Sequence, residues 1–158
     1  MILEQLGMLC DAEACTDSDG YIGYCLDLAR ATGGLPYGQN LWLQITVNVA
    51  ADYTTTNETY QFSLVGGTDT DGTDIDTGNV TIFETPAMAG NDGRLDAAGD
   101  TILTCTLPYE AANYRYIQLY YAQSGTSPSI TIDAVISPSQ PKTPDNVQVI
   151  TSPVGLPS

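Results

Sequence analysis

The chain has 158 residues, of which 19 are acidic, 4 are basic (Arg30, Arg94, Arg115 and Lys142) and none is histidine, for a formal charge of −15. Four dispersed cations cannot supply the basic patch that a phosphate backbone or an anionic membrane surface requires, so nucleic acid and membrane are excluded as partners. Without histidine, Ser–His and Cys–His catalysis and imidazole metal sites are excluded as well.

A chain of this length fits one domain that buries roughly two-thirds of its unfolded surface. Its charge favours solubility and a partner that carries positive patches. The start, MILEQLGMLC, has too short an apolar run for a signal peptide and lacks a basic leader. No stretch approaches the ~20 apolar residues of a membrane span, and the sequence reads as a soluble protein. Cys10, Cys15, Cys25 and Cys105 form no C-x-x-C pair. They read as free structural thiols made in a reducing cytosol, although Cys10 and Cys15 flank an acidic stretch across which a bridge stays open as an alternative.

Ile2, Leu3, Leu6 and Leu9 have helix-like spacing in residues 1–10, a segment too short to hold a helix alone in water. It must pack on its own domain or on a partner. Asp11 to Gly20 reads as an acidic turn region. Tyr21 to Leu28 alternates, which predicts a strand with Ile22, Tyr24, Leu26 and Leu28 on one face. A Gly-rich loop over 30–40 leads into Leu41 to Ala50, LWLQITVNVA. There Leu41, Leu43, Ile45, Val47 and Val49 fall on every second position, and the β-branched residues favour a pleated backbone. This is the signature of a core strand in an antiparallel sheet.

Further strands are predicted at Thr59 to Val65 (with Tyr60, Phe62 and Leu64 on one face), Asn79 to Glu84, Thr101 to Leu107, Tyr114 to Ala122 and Ser129 to Ser137. Gly66 to Gly78, GGTDTDGTDIDTG, reads as an exposed excursion, and Thr85 to Asp100 as an irregular connection. Helix is confined to a turn at 2–9 and another at 109–113. Seven or eight short strands with turn signals between them define an all-β sandwich or barrel. Residues 1–137 are read as one domain. The tail 138–158 carries five prolines and reads as an extended arm, with VQVIT able to pair at an edge.

Two constellations have possible chemistry. Asp69, Asp71, Asp74 and Asp76 alternate as carboxylates do around Ca²⁺, yet Gly72 is fourth rather than sixth and no closing glutamate follows. The stretch reads as a solvated hairpin tip, and Asp17-Ser18-Asp19-Gly20 is weaker still. Asp27, Glu84 and Asp133 lie on or beside strands and are the acids from which a glycosidase pair would be drawn, with Tyr114, Tyr116, Tyr120 and Tyr121 as aromatic platforms. Alternation puts Tyr114, Tyr116, Gln118 and Tyr120 on one face. A strand with tyrosines on its less apolar face reads first as a half-buried sheet or a protein contact. No cofactor is implied.

The runs MILEQLGMLCDAEA, YCLDLA, GQNLWLQITVNVA, YQFSLVGGTDTD, NYRYIQLYY and ITIDAVIS occur in an order and spacing that resembles the capsid cement (decoration) proteins of tailed phages, in particular the Bordetella-phage type. The resemblance covers residues 1 to about 138, and the tail from Pro138 to Ser158 looks longer than the family pattern. It implies a jelly-roll β-sandwich without enzymatic activity or cofactor, located on the outer capsid surface of a virion after synthesis in the host cytoplasm. Such proteins self-associate as dimers or trimers, bridge major capsid protein subunits and brace the shell. On this reading the capsid and subunit contacts are Met1, Ile2, Leu3, Leu6 and Leu9, an edge of the sandwich, and Tyr116 and Tyr120. The alternative is a host-recognition or carbohydrate-binding β-module with a groove lined by Tyr116, Tyr120 or Trp42.

Overall fold

The alternating run at Leu41 forms strand β3, Trp42–Val49, in the interior of a four-stranded sheet. A computed structural model describes residues 7–16, 18–28 and 41–137. Around β3 stand β1 (Met8–Cys15), β7 (Thr101–Thr106) and β9 (Ile130–Ser137), in the order β1-β9-β3-β7. The second sheet has the order β2-β8-β4-β5, from β2 (Gly20–Asp27), β4 (Thr59–Gly67), β5 (Val80–Glu84) and β8 (Tyr116–Ser124). A two-residue strand, β6 (Met88–Ala89), continues the edge beside β4. Every pairing is antiparallel. Apart from β4, β5 and β6, which share a sheet, successive strands cross between the sheets so that first and last, β1 and β9, lie side by side, which is the double Greek key of a jelly roll.

Alternation fills the space between the sheets. Leu43, Ile45 and Val47 of β3 and Ile130, Ile132, Ala134 and Ile136 of β9 are buried. Facing them are Tyr60, Phe62 and Leu64 of β4 and Ile117, Leu119 and Tyr121 of β8. Each large side chain removed from water here contributes about 1.5–3 kcal/mol. Rings of Phe62 and Tyr121 lie 5.7 Å apart, in tilted contact. The Tyr60 hydroxyl donates to the Asp52 carbonyl (2.6 Å) and accepts from the Ser129 amide (3.1 Å), so the core tyrosine also fastens two loops.

The structure corrects several expectations. Residues 8–15 are a strand, not a helix-like start followed by a turn; Leu9, Cys10 and Cys15 are in the core. The irregularity that disguised β1 is a bulge around Ala12, which sits at φ 48° and gives its amide to Asp133 Oδ1 at 2.6 Å. Val49 lies at the end of β3 and is 56% exposed, so the apolar face stops at Val47. Leu95, inside the irregular connection, is fully buried. The four cysteines, by contrast, are free thiols as expected. Burial, then the Glu13 carboxylate, pushes Cys15 up to about 12. The tail 138–158 lies outside the described residues.

Among the described residues, no helix is long and apolar enough to cross a membrane.

Candidate functional site

Strand β2 does not run straight along β8. Ile22 pairs with Leu119 and Leu26 with Ile117, so Gly23, Tyr24 and Cys25 stand against the single residue Gln118. Gly23 makes this bulge possible. It sits at φ +67°, and a Cβ there would meet the Leu9 carbonyl oxygen at 2.0 Å. The extra residues break the alternation and turn Tyr24 outward, where it is 61% exposed. Sequence periodicity placed Tyr24 on the apolar face with Ile22 and Leu26; the bulge is why it is not there.

Across from the bulge lies the acidic hairpin. Thr68 and Asp76 donate backbone bonds to Thr77 and Asp69, and Asp71 Oδ1 accepts the amides of Thr73 and Asp74, both at 2.9 Å. Those amides, Asp74 first, hold the Asp71 carboxyl below its ordinary range. The hairpin's tip is exposed, as its sequence leads one to expect, but one side of it is docked on the sheet. Ile75 is buried, its amide donates to Gln118 Oε1 (3.1 Å), and Gln118 Nε2 donates to Asp74 Oδ1 (2.7 Å). Gly67, inside β4, leaves the space that Ile75 Cγ2 occupies, 2.3 Å from where a Cβ would stand.

Between bulge and hairpin, at the start of β8, is a cleft of about 500 Å³ lined by Tyr24, Cys25, Asp27, Thr70, Arg115 and Tyr116 among others. Arg115 donates twice to Asp27, Nε to Oδ1 at 3.3 Å and Nη2 to Oδ2 at 3.1 Å. Its guanidinium carbon stands 5.0 Å from the centre of the Tyr116 ring. Burial, then the Asp74 carboxylate, pushes the Cys25 thiol up to about 11, so it stays protonated and weakly nucleophilic at neutral pH.

The sequence-selected residues are dispersed. Met1, Ile2, Leu3 and Leu6 lie outside the described residues, as does Asp17. Leu9 is fully buried in β1 and cannot be a surface contact; the core claims it. Tyr116 lines the cleft. Tyr120 does not; its ring packs edge-on against Tyr21, with centroids 5.3 Å apart. Tyr114 precedes β8 and fills the space over Gly66, whose Cβ would stand 2.4 Å from the ring. Trp42 belongs to the other sheet.

Nor do the three acids converge. Asp27 is in the cleft, Glu84 ends β5 on the opposite edge of that sheet, and Asp133 is on β9. Asp133 bonds Ala12 and Asn48, a role within the fold. Asp19 Oδ1 accepts the Gln123 amide at 2.9 Å. Among the described residues no three Asp, Glu or Cys side chains come together to hold a metal ion. The outward turn of Tyr24 and the partnering of Asp27 with Arg115 were hardest to foresee. The glycine within YIGYC is the one sequence signal of the bulge that exposes Tyr24.

Compared with known proteins, the chain matches no family model and no curated protein sequence.

Proposed function

We propose that this chain is a virion structural protein, a cement protein that binds the outside of an icosahedral phage head, bridges major capsid protein subunits and stabilises the shell. The observation that carries the reading is the strand order, β1-β9-β3-β7 over β2-β8-β4-β5, the jelly roll that the resemblance implies. Charge supports it. The two described arginines are each paired with a carboxylate, Arg94 with Asp92 at 2.8 Å and Arg115 with Asp27 at 3.1 Å. An acidic surface of this kind selects a partner with basic patches and repels the DNA packed within the shell. With Leu9 committed to the core, the remaining contact candidates are Met1, Ile2, Leu3 and Leu6, an edge of the sandwich, and Tyr116 and Tyr120.

The test is co-sedimentation of the protein with expanded empty heads built from the cognate major capsid protein. Saturable binding at a fixed ratio to that protein, weakening as salt rises, is the expected result. A variant lacking residues 1–6 should keep the melting temperature and lose occupancy on the heads. Full-length protein that stays in the supernatant at every ratio overturns the reading.

A further inference from the structure

The cleft beside the β2 bulge is not used by a capsid contact through the chain's terminal residues. We infer that it binds a neutral saccharide, which lies on the Tyr24 and Tyr116 rings and is held by hydrogen bonds from the Asp27–Arg115 pair. Exposed aromatic residues scattered singly are ordinary. Here the exposed ring coincides with a concavity of about 500 Å³, within the range of small-ligand sites. It also coincides with a two-residue bulge whose effect is to aim that ring. The bulge is fixed by backbone: the Leu9 carbonyl lies where any Gly23 side chain would begin.

Charge decides the class of ligand. An anion would approach a chain of net charge −15 against its field. A cation, though drawn by the carboxylates of Asp69, Asp71 and Asp74 nearby, would meet the Arg115 guanidinium, which already occupies both Asp27 oxygens and lies over Tyr116. A neutral polyhydroxy ligand avoids both costs. Sugar hydroxyls donate and accept, and the cleft sets donors and acceptors side by side. Arg115 has five N–H groups of which two are engaged with Asp27, and its side chain is 52% exposed. Thr73 on the facing hairpin adds a hydroxyl that does both, while the Thr70 hydroxyl already accepts the Gly72 amide. The C–H face of a pyranose supplies the apolar surface that a tyrosine ring covers.

The experiment is a printed array of neutral and sulfated oligosaccharides probed with the full chain. Any ligand it binds is then titrated calorimetrically against wild type, Tyr24→Ala and Arg115→Gln, with an oligoarginine peptide as the cationic probe. The expected result is saturable binding of a neutral oligosaccharide, weakened at least tenfold by Tyr24→Ala and severalfold by Arg115→Gln. Tyr24 is exposed, so its alanine variant should melt with the wild type; it decides the matter alone should Arg115→Gln not fold. Silence across the neutral sugars overturns the inference. So does binding indifferent to Tyr24→Ala, or a Tyr24-dependent site that accepts only sulfated glycans or oligoarginine.

Discussion

On the β1-β9-β3-β7 sheet, the face turned away from the core carries half-buried Trp42 and Val135 among the mostly polar Gln44, Asn48, Thr104, Thr131 and Asp133, joined by bonds such as Gln44 to Thr104 (3.4 Å) and Asn48 to Asp133 (3.0 Å). On the β2-β8-β4-β5 sheet the corresponding face is roofed by the acidic hairpin, under which Val65 and Gln118 are buried although they point away from the core. One face therefore keeps polar side chains that water satisfies. The other is closed in part by the chain itself, with the cleft at the hairpin's margin and Gln61, Tyr120 and Ala122 half-buried beyond it. The contrast shows how a strongly acidic segment can be structural: a single apolar residue and one glutamine suffice to seat it.

The largest effect should come from unseating the roof. Ile75→Ala removes the only apolar anchor of the hairpin and should cost about 2–3 kcal/mol in urea unfolding. A loss below about 0.5 kcal/mol would mean that the hairpin is not docked in solution. Acid should act next. The Asp74 and Thr73 amides lower Asp71, and the Arg94 side chain holds Asp92 at about 2. Both groups ionise more readily folded than unfolded. Their stabilisation is complete above roughly pH 4, the ordinary carboxylate value, and is lost as pH falls toward 2. The melting temperature should therefore drop across that interval, and less steeply in Asp71→Asn. The smallest effect belongs to the open face, where Thr104→Ala should change stability by no more than about 0.5 kcal/mol. A larger loss there would erase the distinction between the faces.

Strands whose partners impose strict alternation were readable from the sequence: β3 and β9 follow their hydrophobic period almost to the residue, and β4 does so as far as Phe62, beyond which both its faces are covered. Bulges were not. At Ala12 and Gly23 an inserted residue resets which face a side chain takes, and no count of apolar positions registers that. The glycines at 66 and 67 looked like the end of a strand. They are instead its continuation, small because Tyr114 and Ile75 occupy the space beside them. The cleft was legible only through Asp27 and Tyr116, since most of its other walls come from the bulge and from a hairpin that reads as solvent-exposed.

The pairing of β1 with β9 has a mechanical consequence. Ile136 donates its amide to the Gly7 carbonyl at 2.6 Å, and Met8 lies opposite Val135, so the chain enters and leaves the sandwich at one corner. Tension applied between those two ends loads the ladder at its outermost rung and opens it one bond at a time, like a zipper. Tension applied between one end and a distant edge of the sandwich must instead shear several rungs together. A protein of this topology yields readily when tethered by both ends and resists when one tether is a face.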